Sequence, residues 1–277
     1  VEHERLTRRA RIHLERLTGG GGPLFECTQG EVRLYRDDHS EGPRFSADWS
    51  ESALARVAPR ADNTRLTSFM EFMTGIIVCG IDPPGFRTES RGESRIPRRD
   101  AHNFANWYRH VVQERPDLIP GFTNTLRAVI DGLTALRLEK VGQDTRALMV
   151  VFDEGSKRYE LRLDEISDGQ RALITLYALI HLTEGQRHTL FLDEPDNYVA
   201  LPEIQPWLMA LTDACGEAVS QVVVCSHHPE LIDYLGGDSG LLLQREKSGV
   251  VIARKPEVEK LDGSLKLSEL IARGWAG

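Results

Sequence analysis

"TLFLDEPDN", residues 189–197, is the stretch whose reading decides the fold. Four residues suited to a buried strand run straight into Asp193, Glu194, Pro195 and Asp196. In an open parallel α/β sheet, ligands bind at the carboxyl ends of strands, and Asp193 is where an apolar strand delivers a carboxylate to that edge. A hard cation such as Mg²⁺ often takes one carboxylate and completes its shell with water and phosphate oxygens. Glu194 beside it is then free to orient or deprotonate a water. Taken alone, the stretch is equally a strand leading into an acidic turn.

Two other motifs end on the same edge. In "LDEISDGQRALITLYAL", Ser167 caps a helix whose first turn holds Asp168, Gly169 and Gln170. Free amides and the helix dipole at such a turn suit an anion, and a capped buried helix without a ligand is the plain alternative. In "VVVCSHHPELIDYL", a second apolar strand ends at His227 and His228 before Pro229 opens a helix. One histidine there can meet a terminal phosphate. Consecutive strand residues face opposite ways, which argues against the pair sharing a metal. Room for one helix and a return strand separates each motif from the next.

The order "SDGQ … LFLDEP … SHHP" resembles the C-terminal half of an ABC-type ATPase head of the AAA/OLD-like group, related to SMC and recombination-repair ATPases. The resemblance implies an α/β, P-loop NTPase fold (ABC ATPase-like) with a mostly parallel sheet. It implies ATP and Mg²⁺ as cofactors and a homodimer that sandwiches ATP. Carried over by position, Ser167, Asp168, Gly169 and Gln170 match the nucleotide-binding signature, and Asp193 matches the Mg²⁺ ligand. Glu194 matches the catalytic glutamate and His227 the switch histidine. Asp196 and Asn197 open the D-loop-like segment at the dimer interface, and His228 has no family role. Two departures stand out. Asp168 replaces a glycine common among relatives, and no G-x-x-x-x-G-K-[S/T] phosphate loop occurs in these residues. The chain also opens without a methionine, so the N-terminal phosphate-loop part is expected outside it, in a longer or split ATPase. Loss of nucleotide binding is the other explanation.

The rest of the chain reads as one incomplete head, 1–277, in three stretches. Residues 1–48 read as an antiparallel β segment, with a hairpin at 24–35 around Gln29 and Gly30 and a loop at the glycines of 19–22. Residues 49–133 read as a helical subdomain, with Ser50 and Asn63 as helix caps and an amphipathic helix over 100–116. There Phe104, Tyr108, Val111 and Val112 share a face. Residues 134–277 read as the catalytic half, with strands over 136–141, 147–152 and 159–166 before the three motifs. Between the blocks lies an exposed loop carrying Arg87, Arg91, Arg95, Arg98 and Arg99, which either tracks a phosphate backbone or is merely solvated.

Composition narrows the classes. A net charge of −8 argues against a generally basic nucleic-acid binder, and no apolar run reaches the roughly 20 residues of a membrane helix. The four cysteines, Cys27, Cys79, Cys215 and Cys225, have no metal or disulfide spacing, so the cytoplasm is the expected compartment. DNA and an effector protein are the further partners the resemblance brings in, with DNA repair or anti-phage defence as the setting. A non-hydrolysing ATPase-like scaffold is the alternative function, and a metal nuclease using Asp193, Glu194 and Asp196 is a third.

Overall fold

The computed structural model describes residues 2–4, 9–155, 157–183, 185, 188–256 and 265–274. The chain divides into two compact units, residues 1–76 and 77–277.

The first unit is antiparallel β capped by one helix. Strands β1 (Glu2–Glu4) and β2 (Arg9–Arg11) pair with each other. Four more, β3 (Leu14–Gly19), β4 (Gly22–Thr28), β5 (Glu31–Tyr35) and β6 (Glu41–Ser46), form a meander in chain order. Residues 1 and 5–8 of the expected β segment lie outside the described residues. The hairpin around Gln29 and Gly30 forms as read, both residues having positive φ (49° and 87°), the geometry of a two-residue turn that matches strand twist. The glycines at 19–22 make another such turn, with Gly19 opposite Gly22, rather than a loose loop. Alternation puts Phe25, Cys27, Val32 and Leu34 inside, against Leu66 of α1 (Thr64–Thr74).

Asn63 precedes α1 but does not cap it. Its side chain turns inward, accepting from the Arg60 amide and donating to the Ala58 carbonyl. Asp37 caps the helix from a distant turn instead, accepting from the amides of Thr64 and Arg65 and from the Thr64 hydroxyl.

The second unit holds the motifs. Strand β7 (Ile76–Cys79) lies within the stretch that reads as helical. After it come β8 (Glu89–Ser90), α2 (Phe104–Glu114) and α3 (Ile119–Val129). Next are β9 (Leu133–Lys140), β10 (Arg146–Glu154), β11 (Lys157–Arg162) and α4 (Asp168–His181). The chain continues through β12 (Thr189–Asp193), α5 (Leu201–Ala214), β13 (Gln221–Cys225) and α6 (Pro229–Ser239). It ends in the hairpin β14 (Leu242–Arg245) and β15 (Val251–Arg254) and helix α7 (Leu267–Ala272).

The sheets are mixed, not mostly parallel as expected. β10 pairs antiparallel with β8, β9 and β11, because the links between β9, β10 and β11 are far shorter than the dozen or more residues a parallel crossover needs. The motif-bearing sheet has the order β13-β12-β7. Here α5 supplies the crossover, β12 and β13 run parallel, and Asp193 stands opposite Cys225. Helix α4 is buried from Ala172 to Ile180, as an element apolar on all sides must be. Trp107 and Tyr108, beside the arginine-rich loop in sequence, are core residues packed with Phe104 and Phe122. Burial pushes the Cys79 thiol up to about 12, Asp100 adding to it, so this cysteine is packing and not a nucleophile.

The hydrogen bonds from the Arg65 amide, and then from Thr64, hold the Asp37 carboxyl below its ordinary value. A carboxylate with a lowered folded pKa stabilises above its unfolded value, near 3.9, and loses that contribution as pH falls through the folded one. Asp37→Ala should therefore melt lower than the parent at pH 7, and the gap should close as pH falls through the folded value. Thermal unfolding across that range checks it; a pH-independent gap would mean that the cap acts without charge.

Candidate functional site

The carboxyl edge of β12 and β13 gathers the residues singled out in the sequence. Asp193 closes β12 with its side chain about half exposed (53%). The chain then turns sharply. Glu194 adopts φ 46°, a left-handed conformation uncommon for a residue with a side chain, and its amide donates to the Cys225 carbonyl at 2.8 Å. Its carboxylate faces two partners. His227 Nδ1 lies 3.1 Å from Oε1, and Asn197 Nδ2 donates to Oε2 at 2.9 Å. An ionised carboxylate only accepts, so the ring nitrogen of His227 is the donor. Strained backbone tends to persist at sites where the surroundings over-determine it, and Tyr198, at φ 71°, is a second such residue four positions on.

Asp196 has a different place from its acidic neighbours. It is buried, and its Oδ1 accepts from the Ser226 hydroxyl at 2.6 Å. Ser226 Oγ in turn accepts from the His228 amide. His228, which carries no role in the motif, caps α6: its Nδ1 accepts from the Glu230 amide at 3.2 Å. That bond needs a lone pair on Nδ1, so the ring holds its proton on Nε2. The two histidines thus act separately. Among the described residues no group of three or more His, Cys, Asp or Glu side chains is placed to hold a metal, so Asp193, Glu194 and Asp196 do not form the cluster a metal nuclease would need.

The Ser167–Gln170 turn is a complete capping box. Ser167 Oγ accepts from the Gln170 amide and Gln170 Oε1 accepts from the Ser167 amide. Asp168 is neutralised by Arg171, 2.6 Å away in the next turn. Arg171 also donates to the Pro83 carbonyl. Gly169 meets the Asp196–Val199 segment directly: a Cβ there would stand 2.8 Å from the Tyr198 carbonyl oxygen. The first and second motifs therefore touch through bare backbone.

Sequence reasoning missed Arg99, whose guanidinium lies 3.5 Å from Asp193 Oδ2. The Gly80 amide donates to the Arg99 carbonyl, which ties the end of the arginine-rich loop to the end of β7. That a particular arginine of the five would reach the β12 edge has no signal in spacing. Ser226 was readable only as part of "CSHHP".

A family model described as "AAA domain, putative AbiEii toxin, Type IV TA system" matches residues 2–233. No curated protein matches the sequence. Among solved structures, one from work on ATP-driven dimerisation and DNA-stimulated activation of SMC ATPases is 14% identical, covering 60% of this chain and 95% of that one at TM-score 0.43. The Smc head domain with coiled coil and joint from Pyrococcus yayanosii is 13% identical, covering 63% and 34% at TM-score 0.42. An Smc head bound to the C-winged helix domain of ScpA is 12% identical, covering 83% and 68% at TM-score 0.43.

Gly169→Ala separates close contact from simple helix propensity. In an open helix the change stabilises by up to about 1 kcal/mol. Here the added methyl has only backbone to push against, and overpacking costs about 1–3 kcal/mol. Urea unfolding should show a loss of stability; a gain would mean that the approach to Tyr198 relaxes freely.

Proposed function

The chain belongs to the AAA domain family that matches its residues 2–233, and from that membership we propose that it binds and hydrolyses ATP at the β12–β13 edge. The observation that carries this reading is the Glu194 carboxylate. It stands on strained backbone, is held by His227 and Asn197, and adjoins a second, half-exposed carboxylate. A positioned carboxylate of this kind suits general-base work on water.

In this reading Glu194 takes a proton from water as the water oxygen bonds to the γ-phosphorus. The bond from that phosphorus to the bridging oxygen breaks, and ADP leaves with the electron pair. His227, donating through Nδ1, holds the carboxylate in place, and Asn197 fixes its other oxygen. Mg²⁺ would neutralise charge on the phosphate oxygens. Asp193 fits it as a single open carboxylate, the other positions being water and phosphate oxygens. Arg99 pairs with Asp193 at 3.5 Å.

The phosphate cradle is assigned to a segment outside these 277 residues, in the same gene or in another chain. The sheet supports this. Leu190 and Leu192 bury one face of β12, while on the other face Phe191 is 37% exposed and Val78 of β7 is 44% exposed. Strands of parallel α/β sheets are normally covered on both faces, so this apolar stripe suits a further strand–helix unit. ATP would then be sandwiched between two copies, with the Ser167, Asp168, Gly169 and Gln170 turn of one facing the phosphates held by the other. Asp196 and Asn197 would lie at that interface. The Arg171 pair answers the charge that Asp168 would otherwise set against a phosphate. The family description names a toxin of a type IV TA system, which favours a defence setting over DNA repair. DNA and an effector protein are the proposed further partners, in the cytoplasm. Among the described residues no helix is long and apolar enough to cross a membrane.

The Arg99–Asp193 ion pair favours a second reading, a scaffold that assembles without hydrolysis, since the arginine already engages one oxygen of the carboxylate proposed for the metal. Glu194→Gln distinguishes the two. In the complete gene product the variant should keep ATP binding, measured by calorimetry, and lose about 10²–10⁴ in turnover. Undiminished turnover in Glu194→Gln would remove Glu194 from the chemistry, and absence of turnover in the parent with Mg²⁺ present would leave the scaffold.

A further inference from the structure

The second unit carries a group of cations with no carboxylate partner among the described residues, away from the β12–β13 edge. Arg146 opens β10. In the antiparallel register it stands directly opposite Lys140 on β9 and Ser90 on β8. Directly opposite residues share one face of a sheet, and like charges there repel. On that same face the pairs Leu138–Leu148 and Leu136–Val150 continue into the core. Arg109 arrives from α2 and donates through Nη1 to the carbonyls of Ser90 (3.3 Å) and Asp144 (2.9 Å). Arg109 and Arg146 thus adjoin Ser90, Lys140 stands on the far side of Arg146, and exposed Arg91 follows Ser90 in the chain.

Two of their nitrogens are buried without an acceptor: Nε of Arg109 and Nη1 of Arg146. A buried cationic donor left unsatisfied is costly, and one place in the fold holds two. Three nearby carboxylates are engaged elsewhere. Glu89 pairs with Arg162, Glu139 with Arg137 and Glu93 with His110. Glu89 and Glu139 stand opposite Ala147, on the other face by strand alternation. Asp144 meets Arg109 through its backbone carbonyl. What the group lacks is an acceptor with several oxygens, full negative charge and no need of a donor.

We propose that Arg109, Lys140 and Arg146 form a binding site for a phosphate-class oxyanion where α2 meets the β8–β10–β9 edge. To bind, each guanidinium would turn its orphaned N–H out to a phosphate oxygen, and charge-assisted contacts of guanidinium to phosphate are among the stronger hydrogen bonds. The anion also removes the repulsion between Arg146 and Lys140. The ligand is either a free phosphate group or a backbone phosphate of a nucleic acid, the chemistry being the same. This site stands apart from the proposed hydrolytic centre and does not depend on it.

The test uses inorganic phosphate against chloride at matched ionic strength, read by thermal unfolding and by titration. The parent should gain stability with phosphate and not with chloride. Arg146→Met and Lys140→Ala should each weaken phosphate binding about tenfold, the loss of one charge-assisted contact. Lys140 is exposed, so its variant carries the test if Arg146→Met fails to fold. Displacement of a labelled single-stranded oligonucleotide by phosphate, lost in the same variants, identifies the source as a nucleic-acid backbone. Phosphate binding without oligonucleotide binding identifies a small anion. No phosphate-specific stabilisation of the parent, or equal stabilisation of parent and both variants, would overturn the proposal.

Discussion

The hydrogen bond from the Glu194 amide to the Cys225 carbonyl is the constraint on which the site depends. It continues the parallel β12–β13 ladder one residue past Asp193, and at that residue the chain turns left-handed. That turn is what points the Glu194 carboxylate at His227, which leaves the neighbouring strand two residues after Cys225. A slip of one residue in the β12–β13 register would reverse the faces of all five paired residues. It would bury Asp193 and Phe191 and expose Leu190 and Leu192. The core therefore enforces the register, and the register places the carboxylates.

The rest of the edge is arranged around this turn. Asp196 and Ser226 join the two strand ends below the surface, and His228 caps the following helix. Gly169 lets the Ser167–Gln170 turn come against the Tyr198 carbonyl without a side chain between. Three segments distant in sequence thus meet through short polar contacts that leave little tolerance for added atoms. Arg99 alone approaches from the arginine-rich loop, and its ion pair is exposed on both sides, so it contributes little to stability and can be displaced.

Much of this was legible in the sequence because it lay in local patterns. "TLFLD" alternates Leu190 and Leu192 inward, "SDGQ" has the spacing of a capping box, and "QG" at 29–30 has the chemistry of a two-residue turn. Long-range pairings were not legible. Asn63 looked like a cap by position, yet a turn 26 residues earlier supplies Asp37, and Asn63 satisfies buried backbone groups instead. Residues 76–79 carried too short an apolar run to stand out from the helices around them, although β7 completes the motif sheet. Trp107 and Tyr108, close to five arginines, read from their helical spacing as packing residues, and they lie in the core.

The account's central claim is that nucleotide sits at the edge marked by Asp193 and Glu194, and two exposed cysteines report on it. Cys225 stands opposite Asp193 in the ladder, whereas Cys215 ends α5 before β13 begins. The measurement is the alkylation rate of each thiol in the complete gene product, by peptide mass spectrometry, with and without ATP and Mg²⁺. The account predicts that nucleotide slows modification of Cys225 severalfold and leaves Cys215 unchanged. Equal rates at Cys225 with and without bound nucleotide would place the nucleotide elsewhere and contradict it.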